Sequence, residues 1–220
     1  MNRGYHEIKE HGKREFPFNI YPCSIPVDFS HVALHWHEEM EIIAVKKGNG
    51  RITVDTVSYP VSEGDILAVF PGQLHAISCG NGERMEYENI IFRLSMLMGD
   101  NGDGCTVHFL KPLQEGQAKN PVLIQRNQPD HEVFGKVIQE LDRFLEIRGN
   151  GYQLAVKGQL FLFLYYAYGR GILFTEKKPG HAREKIKGIL EYIREHFGEE
   201  ITIRQAAELC FYSESHFMKY

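Results

Sequence analysis

The sequence is short of several features that mark particular classes of protein. Its four cysteines, Cys23, Cys79, Cys105 and Cys210, are scattered and include no Cys-x-x-Cys pair. They therefore indicate reduced thiols rather than a disulfide framework. The formal net charge is only −4, so there is no global basic field, and any contact with DNA must come from a local surface.

Long hydrophobic runs are also missing. The longest extends from Leu160 to Tyr168 and is far too short to span a bilayer, and the N-terminus has no apolar signal core. The chain has 220 residues, of which 43% are hydrophobic and 25% charged. This composition is ordinary for a soluble globular protein with room for one domain and part of a second. We expect a cytoplasmic location and no membrane partner.

Two histidines and a glutamate lie close together in a β-forming stretch. Because side chains alternate along a strand, His35 and His37 would face one side and Trp36 the other, and Glu41 would keep the parity of the histidines provided that no bulge intervenes. Another histidine, His75, follows a Pro-Gly turn at the end of a second apolar segment. The pattern predicts that these three histidines and the glutamate point into one interior pocket.

The spacing of these residues resembles that of the cupin family. The two motifs are His35-x-His37-x3-Glu41-x6-Gly48 and Gly64…Gly72-x2-His75. Short β-rich runs with glycine turns surround them, which is typical of a double-sheet jelly roll. The second motif departs from the usual cupin pattern at two positions. The proline, Pro71, comes one residue late, and Cys79 stands where asparagine is common. Either change would alter the lip of the pocket. The resemblance implies a cupin barrel.

The pattern changes to a helical period after Pro129. Apolar residues repeat at three and four from Val133 to Leu145, and a second apolar helix runs from Leu154 to Tyr168. Such stripes either pack on the barrel or pair with the helices of a second subunit. Apolar stripes alone do not separate these alternatives, and we favour a homodimer.

The end of the chain has a helix-turn-helix layout. Thr202 to Gln205 has the form of a capping box, and Ser213 is placed to cap a second helix. The stretch from Ile186 to Lys219 resembles the first half of the DNA-binding region of the AraC family, with Phe211 as a departure in the turn. With a cupin in front, the whole chain resembles an AraC-type transcriptional regulator.

That family uses two helix-turn-helix units, whereas this chain stops inside the second helix of the first. We interpret this as a truncation that leaves weak or no binding to DNA. On the last helix, Ser215, Met218 and Lys219 share one face. The resemblance implies that this face enters the major groove, while the alternative is an ordinary solvated helix face.

The predicted fold class is mainly β with α: a double-sheet jelly-roll barrel, two packing helices and the start of an all-α helix-turn-helix domain. The predicted parts are an N-terminal arm (1–15), a cupin effector-binding domain (16–129), a helical dimerisation segment (130–174), a linker (175–182) and a partial DNA-binding domain (183–220). Lone histidines such as His6, His11 and His181 are expected on the solvated surface.

The resemblance implies an effector-responsive, sequence-specific transcriptional regulator, with activation of carbohydrate-related genes as the expected output. His35, His37, Glu41 and His75 would bind a sugar-like effector directly. The same side chains would also suit a divalent Zn, Ni, Fe or Mn ion, and the residues leave both alternatives open.

Two other classes of function are considered. A metal-dependent cupin enzyme, such as a dioxygenase or isomerase, would use the same four side chains, but an enzyme has no need of a capped helix-turn-helix. We therefore expect no enzyme and assign no catalytic residues. A structural dimer with an unused pocket is least favoured, because four ligand-grade residues would have no role.

Overall fold

The computed structural model describes residues 5–7, 9–80, 82–100, 102–174, 181–210 and 212–218. Within them the strands are β1 (Phe18–Ile25), β2 (Val32–His35), β3 (Met40–Val54), β4 (Val57–Ser62), β5 (Ile66–Val69), β6 (His75–Ser78), β7 (Met85–Phe92) and β8 (Val122–Ile124). The α-helices are α1 (Lys111–Gln114), α2 (His131–Ile147), α3 (Tyr152–Gly169), α4 (His181–Glu195), α5 (Ile203–Leu209) and α6 (Glu214–Phe217). A 3₁₀ turn at Leu94–Leu97 and a π turn at Thr106–Leu110 complete the regular structure of these residues.

The long strand β3 belongs to two sheets and joins them. One sheet has the order β1-β7-β3-β5-β8, and the other contains β2, β6, β3 and β4. Glu41 lies opposite Val69 of β5 and Ile91 of β7, whereas Val54 lies opposite Val57 and His75 in the second sheet. The double-sheet, mainly β core predicted from the sequence is confirmed. In the described residues β1 and β8 remain edge strands, so the predicted barrel does not close.

Gly48 allows β3 to pass from one sheet to the other. Its φ is +78°, and a Cβ there would lie 1.8 Å from the carbonyl oxygen of Arg84. Only glycine adopts this conformation without strain and permits so close an approach of two backbones. The glycine that closes the first sequence motif is therefore a structural requirement of the shared strand.

Both faces of the first half of β3 are buried. Ile42 and Ala44 belong to a core cluster between this sheet and the helices, whereas Ile43 and Val45 belong to a second cluster between the two sheets. The alternation of strand side chains explains this division. Glu41 has the parity of Ile43 and Val45, so its carboxylate points toward the space between the sheets.

The helices α2 and α3 pack on the outer face of the first sheet. Phe134 of α2 and Phe163 of α3 are fully buried, with an edge-to-face contact between rings whose centroids lie 5.2 Å apart. This arrangement is the packing alternative considered from the sequence. The helices nevertheless leave a second apolar stripe uncovered along α3, formed by Leu154, Phe161, Leu162 and Tyr165.

The predicted capping box is confirmed at the start of α5. The Gln205 amide donates to the Thr202 hydroxyl at 3.2 Å, and the Thr202 amide donates to the Gln205 side-chain oxygen at 2.8 Å. Ala206 and Ala207 are buried as expected, whereas Leu209 is 42% exposed. Residues 175–180 of the predicted linker lie outside the described residues, and α4 already begins at His181. Among the described helices, none has the length and apolarity that crossing a membrane requires.

Candidate functional site

The structure brings the four predicted side chains together. His35 ends β2, Glu41 is the second residue of β3, His75 begins β6, and His37 lies between β2 and β3. One ligand atom from each lies within 4.8 Å of the others. His37, Glu41 and His75 are at most 2% exposed.

The route by which they meet differs from the prediction. His37 is not part of a strand continuous with β3, because β2 ends at His35 and residues 37–39 turn before β3 begins at Met40. In this turn the His37 carbonyl accepts from the amide of Gly72 at 2.8 Å. The expectation of one uninterrupted strand was therefore wrong, although the convergence inferred from it is present.

All three imidazoles are oriented by the backbone. Each places Nδ1 against a carbonyl oxygen two residues away: His35 with Ala33 at 2.9 Å, His37 with Glu39 at 3.1 Å and His75 with Gln73 at 3.0 Å. A carbonyl only accepts, so Nδ1 must carry the proton in each ring. The tautomer assigned by these contacts leaves every Nε2 available to a ligand.

The Nε2 atoms of two of these rings meet the carboxylate of Glu41. Its Oε2 lies 2.8 Å from Nε2 of His37 and 3.2 Å from Nε2 of His75. Burial alone would raise the pKa of Glu41, but the charge of His75 and the hydrogen bonds from both imidazoles hold that pKa well below its usual range. The carboxylate is thus ionised in a buried site.

The pKa values of His37 and His35 are shifted in opposite directions. Burial lowers the pKa of His37, but the hydrogen bond and charge of Glu41 outweigh it and raise that pKa overall. Burial, together with the charge of His75, lowers the pKa of His35 to about 4. His35 is therefore neutral near pH 7, and its Nε2 carries a lone pair.

These contacts fit a divalent cation. With Nδ1 protonated, Nε2 of His37 or His75 can donate to Glu41 only if the ring gains a second proton. A metal ion would bind the same nitrogen and oxygen atoms, and the site would not need to hold two positively charged imidazolium rings next to each other. Among the described residues, the other carboxylate oxygen of Glu41, Oε1, is buried with no hydrogen-bond partner. Imidazole nitrogens with one carboxylate suit Zn, Fe, Ni or Mn.

A cavity of about 320 Å³ adjoins the cluster, and its wall contains residues that the sequence reasoning missed. Tyr21 comes from β1, Tyr87 and Asn89 come from β7, and Glu41 points in from β3. The Oδ1 atom of Asn89 is buried and, within the described part of the chain, has no partner. The alternation of β7 could have indicated that Tyr87 and Asn89 share a face, but not which face.

The N-terminal arm forms another part of this wall. Glu7, Lys9 and His11 line the cavity. His11 is only 4% exposed, and its Nδ1 lies 3.1 Å from the Tyr21 hydroxyl. The expectation that His11 is a solvated surface residue was therefore wrong.

The surface location predicted for the other lone histidines, His6 and His181, can be compared with the structure only in part. His6 stacks on Trp36 with ring centroids 3.9 Å apart and is only partly exposed, so the surface expectation was also inaccurate for it. The side chain of His181 lies outside the described residues. The same tryptophan also contacts α4, since Nζ of Lys187 lies 3.7 Å from the centroid of the Trp36 ring. Trp36 therefore contacts both the arm and α4.

The predicted DNA-facing residues are only partly described. Ser215 is exposed, and Met218 is 65% exposed. Lys219 lies outside the described residues. The short helix α6 that carries Ser215 packs against α5.

Comparison with known proteins gives both a family and relatives. Residues 26–164 match the family of the AraC-like ligand binding domain. The HTH-type transcriptional regulator YdeC of Bacillus subtilis is 20% identical over 222 residues, which cover 100% of this chain and 75% of YdeC. YdiP of Escherichia coli, another HTH-type transcriptional regulator, is 25% identical over 190 residues, which cover 79% of this chain and 55% of YdiP.

A solved structure of ToxT from Vibrio cholerae is similar at a TM-score of 0.44 and 14% identity, covering 93% of this chain and 74% of ToxT. The matched family segment contains all four clustered residues.

We expect the native protein to bind about one equivalent of a divalent cation, and His37→Ala to lose it, because the substitution removes one buried nitrogen donor. The measurement is the metal content of tag-free protein after incubation with Zn²⁺, Ni²⁺, Fe²⁺ or Mn²⁺ and dialysis. His31→Ala, which removes an exposed imidazole, is the matched control and should retain the ion. Native protein without metal, or full occupancy in His37→Ala, contradicts this assignment.

Proposed function

The chain belongs to the family of AraC-like ligand-binding domains, and on that premise we propose that it is a transcriptional regulator that responds to an effector and is located in the cytoplasm. Its cupin pocket binds a small molecule, and its C-terminal helices belong to a sequence-specific DNA-binding domain. The output is activation of carbohydrate-related genes. Relatives named as HTH-type transcriptional regulators support this proposal.

One observation carries the proposal: a buried cluster of ligand-grade side chains lies in the matched family segment, upstream of a capped helix-turn-helix. His37, Glu41 and His75 are almost fully buried, and burying such groups costs free energy that hydrogen bonds, ion pairs or a bound ligand must offset. Thr202 and Gln205 form the capping box of α5 in the same chain. This combination is what a ligand-controlled DNA-binding protein requires.

The proposed effector is a small polyhydroxylated molecule, such as a sugar. The buried atoms without partners among the described residues include two oxygen acceptors, Oε1 of Glu41 and Oδ1 of Asn89. A ligand that presents hydroxyl donors satisfies both. Tyr21 and Tyr87 add aromatic surface to the cavity wall, and flat apolar surface beside a few oriented polar groups is typical of such pockets.

In this proposal His35, His37, Glu41 and His75 hold a divalent cation. When bound, the ion supplies a Lewis-acidic centre to which an effector oxygen can bind. The three backbone carbonyls hold the imidazoles in the correct tautomer, and Glu41 offsets part of the charge. Asn89 and His11 orient the effector from the opposite wall.

The route from pocket to DNA passes through Trp36. Its ring contacts His6 of the arm and Lys187 of α4, and it lies between two of the clustered histidines in the sequence. An effector shifts the arrangement only if it binds one state more tightly than another. In the DNA-binding part, Ser215, Met218 and Lys219 form the proposed contact face, with hydrogen bonds to bases or phosphates and a methyl contact to thymine.

We further propose a homodimer through α3. Leu154 is 77% exposed and Tyr165 is 70% exposed, Phe161 lies between them on the same face, and the exposed Leu162 borders it. A row of exposed apolar side chains on a helix whose other face is already packed on the sheet favours a partner helix. The antiparallel pairing of two copies of α3 would bury it.

A second function deserves a test because one observation favours it. The three backbone-oriented imidazoles form a metal-binding set that a cupin enzyme, such as a dioxygenase or isomerase, would also use. Oxygen consumption or isomerisation by the metal-loaded native protein, lost in His37→Ala, would favour the enzyme.

Sugar binding should change the fluorescence of Trp36, since this is the chain's one tryptophan and it stacks on His6 of the arm, other residues of which line the cavity. We expect one member of a panel of pentoses, hexoses and polyols to give a saturable shift. Glu41→Gln should lower the affinity for that sugar by about tenfold or more, because a charged hydrogen-bond acceptor is lost. Glu63→Gln, which changes an exposed carboxylate, should bind like the native protein. A panel without any saturable shift contradicts a sugar-like effector.

Regulation should appear in the transcripts of cells that carry the gene. We expect the effector to raise transcripts for carbohydrate uptake or breakdown, and the rise to disappear when the gene is deleted or carries Glu41→Gln. RNA sequencing with and without the effector measures this change. Identical transcript profiles in native and deleted cells under all these conditions contradict a regulatory function.

The dimer predicts a change of mass on substitution of the α3 stripe. Leu154→Glu should convert a dimer to a monomer in sedimentation experiments, since a carboxylate would be buried in an apolar interface. Val57→Glu, on the 51% exposed side chain of β4, is the control and should remain a dimer. A native monomer, or a dimer that survives Leu154→Glu, contradicts the proposed interface.

A further inference from the structure

A second and larger cavity lies next to the one beside the cluster. Its volume is about 740 Å³, whereas the cavity beside the cluster has a volume of about 320 Å³. Its walls come from the N-terminal arm, from β2, and from the end of α4 with the turn that follows this helix. We call this space the α4 cleft. It separates the strand that carries His35 from the first helix of the C-terminal part.

The α4 cleft and the cavity beside the cluster share part of their walls. Glu7 and Lys9 of the arm line both spaces, and so do Val32 and His35 of β2. The boundary on the side of the arm therefore consists of two long side chains with many rotamers, and the side chain of Glu7 is 32% exposed. A ligand that is anchored at the cluster can extend past these side chains into the cleft.

The two facing walls of the cleft are apolar. Val32, Ala33 and Leu34 of β2 form one wall, and Ile193 of α4 with Phe197 of the following turn forms the other. The ring of Phe197 is 85% exposed. Exposed apolar surface that is continuous with a ligand cavity favours an apolar group as its occupant.

The charged side chains of the cleft do not favour an anionic occupant. Nη2 of Arg194 lies 3.1 Å from a carboxylate oxygen of Glu195, and Nζ of Lys9 lies 4.7 Å from the centroid of the Tyr21 ring. Glu7 adds a negative charge to the same walls. An anion would have to displace these contacts and approach Glu7, whereas an uncharged apolar group requires neither.

We propose that the effector is a glycoside, with its sugar part beside the cluster and an uncharged aryl or alkyl group in the α4 cleft. This inference rests on the polyhydroxylated effector of the proposed function and extends it. Such a ligand contacts β2 on one side and Ile193 and Phe197 on the other. It therefore connects the cupin directly to α4, the helix that precedes the capped helix α5.

The first test compares ligands that differ only in their apolar group. Titration calorimetry measures the affinities of the native protein for pentoses and hexoses, each as the free sugar, as both methyl glycosides and as both 4-nitrophenyl glycosides. For the sugar that binds, we expect one 4-nitrophenyl glycoside to bind about tenfold or more tightly than the methyl glycoside of the same anomer, because its ring buries apolar surface. Equal affinities, or 4-nitrophenyl glycosides that do not bind, overturn the inference.

The second test locates the apolar group in the cleft. Phe197→Ala removes an exposed ring from one wall, and Ala33→Phe fills the cleft from the other. Each should reduce the advantage of the 4-nitrophenyl over the methyl glycoside by about fivefold or more and leave the affinity for the methyl glycoside unchanged. Ile203→Ala, which shortens a 48% exposed side chain of α5 that does not line the cleft, should behave like the native protein.

The variants are compared at equal melting temperatures, which establish that each is folded. A 4-nitrophenyl advantage that survives either Phe197→Ala or Ala33→Phe overturns the location in the cleft. A panel in which neither sugars nor glycosides bind overturns this inference together with the sugar-like effector. Free sugars and methyl glycosides that bind as tightly as the 4-nitrophenyl glycosides overturn the glycoside alone and leave the sugar-like effector supported.

Discussion

The buried carboxylate of Glu41 is the constraint on which the rest of the site depends. It is 1% exposed, and an ionised carboxylate in such a place costs several kcal/mol unless charges and hydrogen bonds compensate. The compensation comes from Nε2 atoms of His37 and His75. Because Nδ1 of each ring already donates to a backbone carbonyl, Nε2 can donate to Glu41 only from a doubly protonated ring, and otherwise the nitrogen and the carboxylate must share a cation. A charge on one strand therefore depends on side chains from two other segments, whose orientation is fixed by backbone carbonyls.

The scaffold divides this task between rigid and irregular parts. β3 holds Glu41 firmly, since the strand is paired on both sides and both of its faces are covered at this point. The carbonyls that orient His37 and His75 belong instead to short turns, at Glu39 and Gln73. The arm is joined at Trp36, which also contacts α4. The strand that is paired on both sides thus carries the charge, while turns and the arm carry the groups around it.

Much of the fold and the cluster followed from the sequence, because glycine turns and short β runs are local signals and the ligand-grade residues are few. The sequence did not reveal the turn at residues 37–39, since alternation predicts parity only while a strand continues. It also missed His11 and Asn89. Their inward orientation depends on the pairing of β1 with β7 and on the bridge from the arm to Trp36, which are contacts between segments far apart in the chain. The exposed apolar residues of α3 could not be identified from the sequence either, because they depend on which face of the helix packs on the sheet.

The most direct test of the central claim is the tautomeric state of the three clustered histidines. Long-range ¹H–¹⁵N correlation spectra, assigned with single His→Gln variants, distinguish a protonated Nδ1 from a protonated Nε2. The account predicts Nδ1–H in His35, His37 and His75, and a shift of all three Nε2 resonances when a diamagnetic divalent ion such as Zn²⁺ is added. Nε2–H tautomers, or Nε2 resonances unchanged by Zn²⁺, would contradict a site built to present three nitrogens and Glu41 to one cation.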